Sequence, residues 1–274
     1  MYCLEGVRMN LSIKIINKEG KVLADHSNMN EVNLVYQNAY QEGDRIVITS
    51  SEKDTYLNVQ VDDAFGSAFI YVTKHEITYH IPFAEKKVSY SPKAFCGNLH
   101  LLWVRAASKE EIVSYKNLAL NVMDQHEADG YYPHTIANVE TRGESVFASR
   151  NAIDGVRENH SHGPWPYQSW GINRQDDAKM KLEFGRKVII DKIILYTRAD
   201  FPHDNWWKEV SFLFSDGSSK VWELEKSDQA HVLQFEKQEV EWLEFYNLIK
   251  ADDPSPFPAL TQIEVYGTEA GVNL

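Results

Sequence analysis

The sequence predicts an all-β protein made of two β-sandwich domains, and three observations carry that expectation. Apolar and polar residues alternate with period two in short runs such as residues 56–61 (YLNVQV) and 179–184 (KMKLEF), the mark of half-buried strands. Several such runs follow one another with turn residues between them, the spacing of a sandwich or jelly roll. The pattern pauses at residues 108–116 (SKEEIVSYK) and begins afresh at Asn117. A length of 274 residues suits two ordinary domains. The expected organisation is a β-sandwich at residues 1–107, a linker at 108–116, a second β domain at 117–268 and a tail at 269–274.

In the first half, residues 11–16 (LSIKII) read as a strand and Asn17 to Gly20 as a turn. Asn30 is placed to cap one short helix over residues 31–41, where Val32, Val35 and Ala39 have helical spacing and Gly43 supplies the stop. Strands follow over residues 45–49, 56–61, 68–73, 76–81 and 99–105. Ser108 opens a capped helical turn in the linker.

In the second half, Met180, Leu182 and Phe184 point inward from one strand, and Gly185, Arg186 and Lys187 are expected to turn the chain. The apolar run 188–196 suits a central strand. Residues 208–215 place Val210, Phe212 and Phe214 on one face, and Asp216-Gly217 signals a hairpin into residues 219–224, where Trp222 and Leu224 share a face. Residues 240–248 and 261–266 complete the set, with a loop at 252–258 (DDPSPFP) stiffened by three prolines between them.

The composition excludes several function classes. The chain is 43% hydrophobic and 25% charged, as in soluble globular proteins, and it has no apolar run long enough for a membrane span. A net charge of −12 argues against nucleic acid or an anionic membrane as partner, because both reward clustered Lys and Arg. Cys3 and Cys96 are too few for a disulfide framework. The N-terminus lacks the basic and apolar regions of a signal peptide, and Met9 could be an alternative start. The expected location is cytoplasmic; a chain that had lost a signal sequence would read the same way and be extracellular. Nothing indicates an oligomeric state. The adjacent pairs Asp62-Asp63, Asp176-Asp177 and Asp252-Asp253 read as solvated turn residues, not as an acid/base pair. No nucleophile elbow, metalloprotease motif or phosphate loop is present, so the chain is expected not to be an enzyme.

Five short motifs occur in order: Asn117-Leu118-Ala119-Leu120-Asn121, Asn151-Ala152-Ile153-Asp154-Gly155, Gln168-Ser169-Trp170, Leu182-Glu183-Phe184-Gly185 and Ile263-Glu264-Val265-Tyr266-Gly267. Together they resemble discoidin, or coagulation factor 5/8 type C, domains over residues 117–268. The resemblance implies a galactose-binding-like jelly roll of the carbohydrate-binding-module kind, lectin-like, with a mono- or oligosaccharide as partner. It also implies a structural calcium ion held by Asp154, Glu264, the Ala152 carbonyl and the Ser169 hydroxyl. The same residues also fit an Asp-Gly turn held by its own hydrogen bonds, with Glu264 on a solvent face. The chain departs from the family in its long aromatic segment at residues 160–170 (HSHGPWPYQSW) and in lacking the disulfide that joins the domain ends of secreted members.

The loop after residue 197 holds the expected binding site. Arg198, Asp200, His203, Asp204, Asn205, Trp206 and Trp207 lie within ten positions. A sugar offers an apolar C–H face that an aromatic ring covers and hydroxyls that want paired donors and acceptors. Arg198 would donate, Asp200 or Asp204 would accept or orient the arginine, and one tryptophan would stack. Strand alternation exposes only one of the pair. The resemblance implies a second wall from His160, His162, Trp165 and Tyr167. The alternative is a structural loop, with one Trp in the core and Arg198 paired to Asp200. A transition-metal site at His160, His162 and His203 is a further candidate. Two rival functions stand beside this one: a small glycan-processing enzyme (glycosidase, lyase or amidase) using the same Arg/Asp/His cluster, and a protein-interaction adaptor that grips a partner through exposed aromatics.

Overall fold

The computed structural model describes residues 8–160, 163 and 165–271; His162 and Cys3 lie outside them. The protein is all-β: its elements are almost entirely antiparallel strands. The chain forms two compact units, drawn from Met1–Phe83, Lys93–Ser108 and Glu127–Tyr131, and from Ala84–Pro92, Lys109–His126 and Tyr132–Leu274. The division is therefore not one cut, since two short segments are exchanged across residues 108–116.

The first unit contains β1 (Asn10–Ile16), β2 (Val22–Met29), β3 (Glu31–Tyr36), β4 (Arg45–Ser50), β5 (Thr55–Gln60), β6 (Ala68–Val72), β7 (Glu76–His80) and β8 (His100–Ala106). One sheet runs β2-β1-β4-β7. The other runs β6-β5-β8-β3. Leu11, Ile13, Ile46 and Ile48 from the first sheet are buried, as are Leu34, Val59, Ile70 and Leu102 from the second. The helix expected over residues 31–41 is not formed. Val32, Leu34 and Tyr36 are buried in strict alternation along β3, which pairs with β8 in the register Val32↔Val104 and Leu34↔Leu102. Period two thus overrides the helical spacing of Val32 and Val35. Asn30 has φ 63°, and its side chain accepts the Met9 N–H at 2.8 Å, so it makes a turn between β2 and β3 rather than a cap. Asp62 is also not a solvated turn residue. It is buried and its carboxylate accepts the Ala64 and Phe95 N–H groups, both at 2.8 Å.

The second unit begins with the five-residue helix α1 (Lys109–Val113). After β9 (Lys116–Asn117), the short strand β10 (Tyr131–Tyr132) spans the boundary between the units, and the second unit goes on through β11 (His134–Ala137), β12 (Trp170–Gly171), β13 (Met180–Thr197), β14 (Trp207–Phe214), β15 (Ser219–Glu223), β16 (His231–Lys250) and β17 (Ala259–Glu269). Its principal sheet runs β12-β17-β13-β16-β14-β15. The chain does not reverse at Gly185–Lys187 as the sequence suggested. β13 continues through it, and β16 partners both halves, with the register shifting between Glu183 and Val188. Gly185 sits in this irregularity at φ 69°, and a Cβ there would lie 2.2 Å from the Tyr132 ring. A twenty-residue partner strand holds the bulge open as a bend instead of a turn. The Asp216-Gly217 hairpin joins β14 to β15 as expected. Met180, Leu182, Phe184, Val210, Phe212 and Phe214 all enter one core with Trp170, Trp207 and Phe245. β17 runs on to Glu269, which is buried against Arg186 at 2.7 Å and so belongs to the sheet. No helix among the described residues is long and apolar enough to cross a membrane.

The motif residues have local physical roles. Asn117 Oδ1 accepts the N–H groups of Ala119 at 3.1 Å and Val265 at 3.0 Å, pinning the start of the unit to its last strand. Asn121 Nδ2 donates to the Pro133 carbonyl at 2.8 Å, and Asn151 Nδ2 to that of Ser145 at 2.8 Å. Gly267 is required sterically, because a Cβ there would lie 2.0 Å from the Ile189 carbonyl oxygen. That oxygen belongs to a central strand and cannot retreat. Gly267→Ala is expected to cost about 3 kcal/mol or more of unfolding free energy in denaturant titration, through overpacking against backbone.

Candidate functional site

The loop between β13 and β14 is organised by one buried ion pair. Arg198 leaves β13 with its backbone N–H bonded to the Ala259 carbonyl at 2.9 Å. Its guanidinium meets Asp204 in a fork, Nε to Oδ2 at 3.0 Å and Nη2 to Oδ1 at 2.6 Å. The residues are 3% and 0% exposed, so each charge depends on the other for solvation. Asp204 also accepts the Asp200 N–H at 3.0 Å and lies 3.0 Å from His203 Nδ1.

The third nitrogen of the guanidinium is the informative one. Arg198 Nη1 is buried and has no hydrogen-bond partner. Arg198 lines a cavity of about 430 Å³. A buried donor left unpaired costs about 1–3 kcal/mol, so the arrangement favours a ligand with acceptor oxygens. Phe147 and Phe257 also line the cavity, together with Ile172, Pro256 and Pro258. The His203 ring stacks on Phe257 at 5.3 Å and 9°. The Arg174 guanidinium lies 4.5 Å over the Phe257 ring, and that of Arg142 lies 5.3 Å over Phe147. Arg142 is itself forked onto Glu144, with both bonds at 2.6 Å. Among the described residues no Asp or Glu lines this cavity.

The proline-rich loop is fastened to the arginine loop. Asn205 Nδ2 donates to the carbonyls of Ser255 at 2.8 Å and Ala251 at 3.3 Å. Its own N–H reaches the Phe257 carbonyl, and Ser255 Oγ donates to the His203 carbonyl. Asn205 is therefore the fastener that positions Phe257, not a group facing the cavity.

The predicted residues thus separate. Arg198 and His203 line the cavity, and Asp204 stands behind Arg198. The partner of Arg198 is Asp204, not Asp200, which lines another cavity with Arg157 and Tyr196. Trp207 is in the core, edge-on to Phe245 at 5.7 Å. Trp206 is half-buried, beside Phe201 and under the Lys226 ammonium at 4.9 Å, and does not line the cavity. His160 is exposed and Trp165 half-buried, and neither lines the cavity. Tyr167 packs edge-on to Phe147 at 6.3 Å and so supports a wall from outside. Sequence reasoning missed Phe147, Phe257, Arg142 and Arg174. Of these only Phe257 carried a signal, its place between two prolines in a stiff loop.

The residues expected to hold calcium fit in part. Asp154 is buried, accepting the Val156 N–H at 2.8 Å and Gln168 Nε2 at 3.1 Å. Burial pushes its carboxyl up to about 6, only partly offset by Arg150 and its hydrogen bonds. Ala152 and Ser169 are fully buried, and Gln168 Oε1 and Ser169 Oγ have no partner. Glu264 does not fit. It is 1% exposed, so it is not on a solvent face either. Its carboxylate is ion-paired with Arg157 and accepts the Tyr266 hydroxyl at 2.9 Å. Among the described residues no group of three or more His, Cys, Asp or Glu is placed to hold a metal ion; His162, the remaining residue of the transition-metal reading, lies outside them.

No protein family matches the chain by sequence, and no curated protein matches it. Among solved structures, it is similar to a fucose-binding module of Streptococcus pneumoniae, with 15% identity and TM-score 0.41, covering 56% of this chain and 98% of that one. It is similar to chitosan-binding module 1 from a chitosanase/glucanase of Paenibacillus sp. IK-5, with 16% identity and TM-score 0.39, covering 55% and 98%. It is also similar to the family 32 carbohydrate-binding module of NanJ from C. perfringens in complex with galactose, with 16% identity and TM-score 0.36, covering 48% and 91%.

Two outcomes are expected. Asp204→Asn leaves a guanidinium buried beside a neutral amide and costs about 3–5 kcal/mol in denaturant unfolding, whereas Arg198→Met with Asp204→Leu recovers most of that loss. Asp154 has a folded value of about 6 against an ordinary 3.8. Its contribution is present below the ordinary value and lost as pH rises through about 6. Asp154→Asn should therefore flatten stability between pH 4 and 7, by up to about 3 kcal/mol at pH 7 in melts across that range.

Proposed function

We propose that this chain binds a carbohydrate non-covalently in the cavity beside Arg198. One observation carries the reading: Arg198, a buried arginine with one guanidinium nitrogen unpartnered, lines a cavity together with two phenylalanines. Arg198 Nη1 donates to a sugar oxygen, Phe257 or Phe147 covers the C–H face, and Asp204 holds the arginine in place. The stacking role expected of Trp206 or Trp207 passes to the phenylalanines. Residues 117–268 are read as a discoidin-type, galactose-binding-like domain on the five ordered motifs.

A binding role is favoured over catalysis by the lining itself. Glycoside hydrolysis uses two carboxyl groups flanking the scissile bond, and the described residues of this lining include none. Positioning donors and stacking rings suffice for recognition.

A structural cation at the Asp154 turn is part of the same proposal. Asp154, Gln168 Oε1, Ser169 Oγ and the Ala152 carbonyl would hold it, without Glu264. A divalent ion there offsets the burial of the Asp154 carboxylate and supplies the partner that two buried oxygens lack.

A glycan array followed by calorimetry tests the binding reading. A saccharide ligand is expected, with affinity lowered about tenfold or more in Phe257→Ala and little changed in Trp206→Ala. Absence of any saccharide ligand, or loss of binding in Trp206→Ala alone, would contradict it. For the cation, excess calcium is expected to raise Tm at pH 7 relative to chelator and to have no effect on Asp154→Asn; equal midpoints would remove the ion.

A further inference from the structure

We infer that the saccharide accepted by this cavity carries an anionic group, a uronate carboxylate or a sulfate ester, set against Arg198 and Arg174. This rests on the carbohydrate reading above and specifies its ligand.

The first ground is the balance of donors and acceptors. Guanidinium groups donate and never accept. A neutral sugar hydroxyl that accepts from arginine still has its own proton to place, so a site for neutral sugars needs a nearby acceptor. In this lining the side-chain acceptors are few: Thr141, Asn173 and the second ring nitrogen of His203, whose Nδ1 faces Asp204. Thr141 Oγ1 is already taken by the Asn173 N–H at 2.9 Å. Carboxylate and sulfate oxygens accept only, so they satisfy several donors and leave no proton over. They also turn each contact into a charge-assisted bond, roughly twice as strong as a neutral one.

The second ground is charge. Two of the three guanidinium groups have a carboxylate of their own: Arg198 has Asp204, and Arg142 has Glu144. Arg174 has no ion-pair partner among the described residues, and its guanidinium is held over Phe257. One positive charge is therefore uncompensated at the cavity. The chain as a whole carries 40 acidic against 28 basic residues, yet among the described residues the lining holds three arginines and no acidic side chain. In a protein this acidic, such a lining is a local inversion of charge. It admits an anion that the rest of the surface repels.

Matched saccharides differing only at the charged group test the inference by calorimetry on the full chain. The pairs are oligogalacturonate against galactose oligosaccharide, glucuronate-terminated against glucose-terminated oligosaccharide, and 6-sulfated against unmodified galactose; sodium acetate and sodium sulfate serve as bare-anion probes. At low ionic strength, at least one acidic member is expected to bind about tenfold or more tightly than its neutral match. That preference should shrink with added salt and fall to within about threefold in Arg174→Gln. Arg174 is exposed, so this variant keeps the fold. Preference for the carboxylate or for the sulfate arm supports the inference and names the group. Equal affinity for acidic and neutral members overturns it and leaves the carbohydrate reading standing. Failure of every saccharide overturns that reading as well. Acetate or sulfate binding as tightly as the acidic saccharide overturns the inference by showing an anion site that does not read sugar.

Discussion

The second unit's candidate site depends on the pairing of Arg198 with Asp204. A guanidinium at 3% exposure is stable only beside a carboxylate that is equally buried. Asp204 fills that role with both oxygens and also takes the Asp200 N–H, so one side chain fixes the arginine and closes its loop. The fork consumes Nε and Nη2 and leaves Nη1 over. The residue that stabilises the loop is thus also one that lines the cavity with a donor still unpaired. Stability and recognition rest on the same few atoms.

The sheet explains why that donor is where it is. β13 and β16 are long enough to run the length of the unit, and the irregularity at Gly185 lets β13 bend without ending. Arg198 follows directly on β13, and its backbone N–H is caught by Ala259 at the start of β17. Beneath the loops, Trp170, Trp207 and Phe245 form a close-packed aromatic floor with no exposure. Loops carried on such a floor can place side chains with little freedom to move. Asn205 then transmits the position of the arginine loop to the proline loop, and hence to Phe257.

Legibility in the sequence followed the strength of the local signal. Strands with clean alternation and a buried face, such as Met180, Leu182 and Phe184, were readable because burial imposes the period. β2 was missed because VLADHSNM is almost wholly exposed and carries no alternation. β3 was misread because Val32 and Val35 also satisfy helical spacing, and only the pairing with β8 decides between the two. At the site, Arg198, His203 and Asp204 were found because they are crowded into one loop. Phe147, Arg142 and Arg174 come from distant segments, and nothing in their neighbours marks them; their meeting is a property of the tertiary structure. Trp206 and Trp207 misled for the opposite reason. They are conspicuous in sequence, yet one fills the core and the other packs beside Phe201.

In the proposed binding mode the ligand meets the protein at Arg198. Side-chain NMR of the arginine Nε and Nη groups during saccharide titration measures this directly. With saccharide bound as proposed, the Arg198 signals move with occupancy, together with backbone amides of Ile172 and Phe257, while the Trp206 indole stays in place. Movement of the Trp206 indole and of Asp200, with Arg198 unchanged, would contradict it.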